Sequence, residues 1–171
     1  YALNVGGAGC TNPLTGWTTN CNGTYPWGLQ NVNAFNGGPT PYGNQWVVVG
    51  YYGQGGTYIE QSVSGFTVGE TYTLGFALAS EYSPGSVGSK VDVSFPSGSS
   101  TLSQIFEAPD VVSTYWDTWG DFSMNFVADS TDVTIRFFGL AGVGYDAGID
   151  NVSITQVPEP ATLLLLGSGL I

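Results

Sequence analysis

Histidine is absent from this chain of 171 residues, which leaves carboxylates, hydroxyls and aromatic rings as its chemical groups. A Ser-His-Asp triad, a Cys-His pair and a histidine metal ligand are all excluded. No Gly-rich loop runs into Lys-Ser or Lys-Thr, so there is no phosphate cradle. Carboxylate chemistry remains. A glycosidase needs two facing acids roughly 5–9.5 Å apart. Glu60, Glu81, Glu107, Asp117 and Asp121 are the candidates, and their spacing brings no two together. The ordinary reading of each is a solvated surface carboxylate. Asp150 differs, because it shares strand parity with Val152 and Ile154 and so falls at a covered face or its rim. A buried carboxylate needs hydrogen-bond donors or a cation. Backbone amides could supply the donors. The alternative is a structural calcium held by Asp146 and Asp150, since hard oxygen ligands without histidine suit that ion.

The second chemistry is recognition of sugars, in which aromatic faces stack on rings beside polar donors and acceptors. Tyr25-Pro26-Trp27 and Tyr115-Trp116 are the candidate platforms. The competing reading puts these side chains, like Trp17, into the core or over a sheet edge. Asn22-Gly23-Thr24 is a glycosylation sequon in a loop, whereas Asn151-Val152-Ser153 lies within a strand and makes a poor acceptor. Cys10 and Cys21 enclose a polar loop, and in an exported protein they form one disulfide; two free thiols are the alternative.

These groups need a scaffold, and the composition says which kind. The chain has 13 acids, 2 bases (Lys90 and Arg136) and a formal charge of −11. Such a surface repels nucleic acid and anionic lipid. Aromatics at 14% with 26 glycines suit an all-β extracellular domain. Period-two alternation is clearest over Glu70–Ala79, where Tyr72, Leu74, Phe76 and Leu78 share one face. The same pattern predicts strands over Gln45–Tyr52, Thr57–Val63, Lys90–Phe95, Ser103–Glu107, Trp119–Val127, Asp132–Leu140 and Ala147–Thr155. A short first strand falls near Ala2–Val5. No helical period and no repeat of fixed length is present. The expectation is an all-β antiparallel sandwich of the jelly-roll type with about eight or nine strands. Residues 1–156 form the domain, 6–44 a long, disulfide-stapled loop region within it, and 157–171 an extended tail.

The tail reads Val157-Pro158-Glu159-Pro160-Ala161-Thr162, followed by Leu163, Leu164, Leu165 and Leu166. Its prolines cannot continue a sheet. About nine apolar residues are too few to span a bilayer, which takes roughly twenty. This stretch resembles the PEP-CTERM sorting signal of bacterial surface proteins, in which Pro-Glu-Pro precedes a membrane helix and an arginine cluster and an exosortase processes it. The start, Tyr1-Ala2-Leu3-Asn4, reads as a mature terminus left by a leader peptidase.

An ordered series adds a second resemblance. Ile59-Glu60-Gln61-Ser62-Val63, Gly69-Glu70-Thr71-Tyr72-Thr73-Leu74-Gly75-Phe76, Trp119 and Ile149-Asp150-Asn151-Val152-Ser153 are similar to the galactose-binding-like jelly rolls that often precede a PEP-CTERM tail. In that family a structural calcium often lies near the position of Asp150. The Asn-Gly-x-Phe-Glu opening of the family is replaced by Asn4-Val5-Gly6-Gly7.

Together these readings predict a non-catalytic, secreted or cell-surface structural or adhesive protein of an extracellular matrix. An exosortase-type enzyme would process it, and it would assemble into a homopolymer or filament through its tail. The alternative is a carbohydrate-binding module for extracellular polysaccharide. A small glycosidase or lyase is the third reading.

Overall fold

The computed structural model describes residues 15–20, 40–50, 56–81, 88–100, 103–113, 116–140 and 146–159, and the backbone of 28–31. Ten strands run through these residues: β1 (Thr18–Thr19), β2 (Gly28–Asn31), β3 (Gln45–Val49), β4 (Tyr58–Ser64), β5 (Thr71–Ser80), β6 (Lys90–Ser97), β7 (Ser103–Glu107), β8 (Trp119–Val127), β9 (Asp132–Gly139) and β10 (Ala147–Gln156). They form two five-stranded sheets, ordered β1-β4-β9-β6-β7 and β2-β3-β10-β5-β8. Every pairing is antiparallel. From β3 onward the chain crosses between the sheets at almost every step, and only β6 and β7 are consecutive neighbours in one sheet. That is the double-sheet solution to covering two apolar faces. For brevity, the sheet containing β5 is the first sheet and the one containing β9 the second.

Alternation explains the interior. Leu74, Phe76 and Leu78 of β5 face Val91 and Val93 of β6 and Val133, Ile135 and Phe137 of β9 across the sandwich, all at 2% exposure or less. Phe76 meets Phe137 edge-on at 5.3 Å and stacks on Phe122 at 6.0 Å. Burying each such side chain contributes about 1.5–3 kcal/mol before chain entropy is counted.

Three features differ from the sequence expectation. β1 and β2 lie within the stretch read as loop, 6–44. β1 pairs with the distant β4 and β2 with the next strand, β3, and neither short segment shows an alternating pattern that announces the pairing. Next, the outward face of β5 is covered at one end: Ala77 and Ala79 are fully buried. A second cluster of Trp46, Val48, Ala79 and Trp116, with Trp119 beside it, sits on the outside of the first sheet. Gly148 makes room for it, since a Cβ there would come within 2.9 Å of the Trp116 ring.

The third feature is a β-bulge in β10. Asp150 pairs with Ala77 and Ser153 with Gly75, so three steps on β10 match two on β5. Asn151 takes φ +51, a left-handed conformation that asparagine tolerates better than most residues. The extra residue breaks the strand parity. Ile149 and Ile154 both face the core, while Asp150 and Ser153 both face outward. The placement of Asp150 on the covered face is thereby corrected: it stands on the outer face of the first sheet.

Candidate functional site

The turn Thr40-Pro41-Tyr42-Gly43 closes by a bridge between Thr40 and Gly43, with proline at its second position and Gly43 at φ +129. Thr40 Oγ1 accepts from the Tyr42 amide at 3.2 Å and donates to Asp150 Oδ2 at 2.7 Å. Those bonds lay the turn across the outer face of the first sheet. There the Tyr42 hydroxyl donates a hydrogen bond to Asp121 Oδ1 of β8. Asp150 Oδ1 accepts from the Asn151 amide at 2.7 Å, which ties the carboxylate to the bulge.

Tyr42 forms one wall of an open hollow of about 280 Å³, lined also by Gly75, Phe76, Asp121, Phe122, Asn151 and Ser153. Gly75 makes its floor: a Cβ at that position would reach 3.0 Å from Ser153 Oγ. The hydrogen bond to Asp121 raises the pKa of the Tyr42 hydroxyl, with desolvation and the charges of Asp121 and Asp150 acting in the same direction. The site is therefore a half-buried aromatic ring set in negative potential among hydrogen-bonding groups.

The other acids are placed differently. Glu60 of β4 is paired with Arg136 of β9, Oε2 to Nη2 at 2.6 Å, and Glu107 of β7 with Lys90 of β6 at 3.2 Å. Asp117 accepts from the amides of Val112 and Ser113 and fastens its own loop. Glu81 is hydrogen-bonded to Asp146, and burial raises its pKa. Of the acids weighed for catalysis, only Asp121 lines this hollow.

Among the aromatic candidates, Trp116 is corrected. It is 2% exposed and packs against Trp46 at 5.9 Å, so its face is not open to a sugar. The Trp119 indole donates to the Trp116 carbonyl at 3.1 Å, and the Trp116 amide to Ser80 O at 3.3 Å, which hold the residue at φ +58. Tyr25, Trp27 and Tyr115 lie outside the described residues, as do Cys10, Cys21, Asn22, Pro160 and Leu163–Leu166. Pro158 and Glu159 are described and exposed.

The calcium candidates Asp146 and Asp150 are both among the described residues. The Asp146 carbonyl accepts from the Glu81 amide at 3.0 Å and from Ser89 Oγ at 2.9 Å, while the Asp150 oxygens are met by Thr40 and the Asn151 amide. Among the described residues no group of three or more acids or cysteines is placed to hold a metal.

Tyr42, Gly75 and Ser153 went unread in the sequence. The Pro-Tyr-Gly turn was a local signal for Tyr42, and Asp-Asn within an alternating run was a weak one for the bulge. Neither says that the turn and the bulge meet.

The PEP-CTERM protein-sorting motif matches residues 156–171, and that motif marks proteins sorted to the cell surface or the extracellular space. No relative of curated function matches the sequence. Among the described residues no helix is long and apolar enough to cross a membrane. Several solved structures share the fold, three of them as follows. A family 35 carbohydrate-binding module from Clostridium thermocellum is 20% identical, with 82% of this chain and 92% of that one covered at a TM-score of 0.54. TmCBM61, solved in complex with β-1,4-galactotriose, is 16% identical, with 91% and 94% covered at 0.53. The enzymatically active domain of tailspike protein 4 of bacteriophage CBA120 is 16% identical at 0.54, and this chain spans 84% of its own length but only 20% of that one. The chain thus carries a PEP-CTERM sorting motif after a β-sandwich whose structural neighbours include carbohydrate-binding modules.

Proposed function

We propose that this is an exported surface protein whose sandwich, residues 1–156, binds an extracellular polysaccharide without cleaving it, and whose residues 157–171 are the sorting tail acted on by an exosortase-type enzyme. The observation that carries the reading is the Tyr42 hollow on the outer face of the first sheet. It offers a ring for stacking, the Asp121 carboxylate as acceptor, and Asn151 and Ser153 as further polar groups. The likeness in fold to binding modules supports it. A non-catalytic role is favoured by the pairing of Glu60 and Glu107 with the two bases.

Assembly into filaments through the tail has less support. That expectation falls on residues outside the described ones, and the sorting motif covers the same stretch. The adhesive role becomes attachment to polysaccharide.

The test is affinity electrophoresis in gels containing a panel of polysaccharides. Retardation by at least one polymer, lost in Tyr42→Ala and in Gly75→Val, is the expected outcome. Gly75→Val puts side-chain bulk on the floor of the hollow, where its Cβ would come within 3.0 Å of Ser153 Oγ. Retardation unchanged in both variants would move binding elsewhere, and none with any polymer would end the reading.

A further inference from the structure

The sandwich has two unlike outer faces. The chain has only two bases, and both lie in the second sheet, Lys90 on β6 and Arg136 on β9. Each is already engaged: Lys90 with Glu107 at 3.2 Å, and Arg136 with Glu60 at 2.6 Å while its guanidinium lies 4.2 Å from the centre of the Tyr58 ring. The first sheet carries the Tyr42 hollow, and neither base lines it.

The charge at the hollow is one-sided as well. An ionised carboxylate accepts and cannot donate. Asp121 lies on the wall, and Asp150 is near enough to act on the Tyr42 hydroxyl. The proton of that hydroxyl is directed at Asp121, so its outward lone pair is another acceptor. Asn151 and Ser153 can donate as well as accept, so the hollow offers a sugar hydroxyl both kinds of partner but no positive charge. A neutral sugar suits that set; a uronate or a sulfate ester brings a like charge into a site lined by neither base.

We propose that the Tyr42 hollow selects polysaccharides built from uncharged sugars and rejects uronate-bearing and sulfated polymers. The proposal rests on the glycan-binding reading above and adds the class of ligand. Asp121 is its main determinant of charge selectivity, since it lines the site and holds Tyr42 in place.

The test compares neutral polymers (galactan, xylan, mannan and β-glucan) with polygalacturonate, alginate and a sulfated galactan, by affinity electrophoresis of the whole chain at low and high salt. At low salt, at least one neutral polymer is expected to bind about tenfold or more tightly than every acidic one. High salt should narrow the gap, because it screens repulsion between exposed charges. Asp121→Asn, which keeps an acceptor for Tyr42, should narrow it by about threefold. Acidic polymers bound as well as neutral ones, with that binding lost in Gly75→Val, would overturn the charge selection and leave glycan binding standing. No binding to any polymer, or binding indifferent to Gly75→Val, would overturn both. Thermal melts of each variant keep misfolding apart from lost recognition.

Discussion

Thr40 Oγ1 donates to Asp150 Oδ2 at 2.7 Å, across 110 positions of sequence. This bond joins the turn that presents Tyr42 to the bulge that turns Asp150 outward. Thr40 is itself buried, at 8% exposure, so removing the donor leaves an acceptor with reduced access to water. Thr40→Val keeps the volume and deletes the bond. It should cost about 1–2 kcal/mol, since the acceptor is charged but only part-buried. Glycan binding should weaken too, because Tyr42 loses its anchor. Urea denaturation checks the first effect and affinity electrophoresis the second; unaltered stability would mean that the turn is held by other contacts.

Asn151 sits at φ +51. Asn151→Gly should be near neutral in stability. Asn151→Val should lose about 1–3 kcal/mol, because a β-branched residue is strained in that region. It should also disturb the hollow, of which Asn151 forms part. Comparing the two variants by thermal melts and by glycan binding separates backbone strain from loss of the amide group. If valine proves as stable as glycine, the bulge conformation is wrong.

Trp116 and Tyr42 should part company on mutation. Trp116→Ala empties a buried position and should cost about 3–5 kcal/mol, enough that any loss of binding reports unfolding. Tyr42→Ala removes a half-buried ring outside the core and should shift Tm by only a few degrees while abolishing binding. Gly148→Ala offers a milder probe of the tryptophan cluster. Its Cβ would meet Trp116 at 2.9 Å, and overpacking of that kind costs about 1–3 kcal/mol.

Glu81 predicts a pH dependence. Burial raises its pKa above the ordinary 4.5, against the hydrogen bonds to Asp146 that lower it. Its Oε2 is buried without a hydrogen-bond partner. A carboxyl whose folded-state pKa is raised costs no stability below the unfolded value. The cost grows as pH rises through the folded pKa and is constant above it. Glu81→Gln should therefore raise Tm at pH 7 and bring no such gain below pH 4.5. An equal shift at both pH values would show that the ionisation of Glu81 carries no such penalty.

Much of the scaffold was legible before folding. The alternation of Trp119–Val127 marked β8 to the residue, and the weaker run Ser103–Glu107 marked β7. Tyr72, Leu74, Phe76 and Leu78 were read as one face, and all four are buried. Period two is a local property, and a sheet with one covered face imposes it directly. The site was legible only in pieces. Asp121 and Asp150 were singled out, the latter with the wrong face, and Tyr42 was passed over. A tryptophan beside a tyrosine looked like a platform, yet Trp116 roofs Trp46.

By itself the sequence determined the all-β class, the approximate course of β3 to β10, the acidic surface and the terminal sorting motif, because each depends on residue type and near-neighbour spacing. The folded chain decided the rest: that a bulge at Asn151 reverses strand parity, that β5 is covered on both sides at one end, and that a turn at residue 42 meets a strand at residue 121. Those are contacts between segments far apart along the chain, and no local pattern encodes which distant backbone will lie alongside.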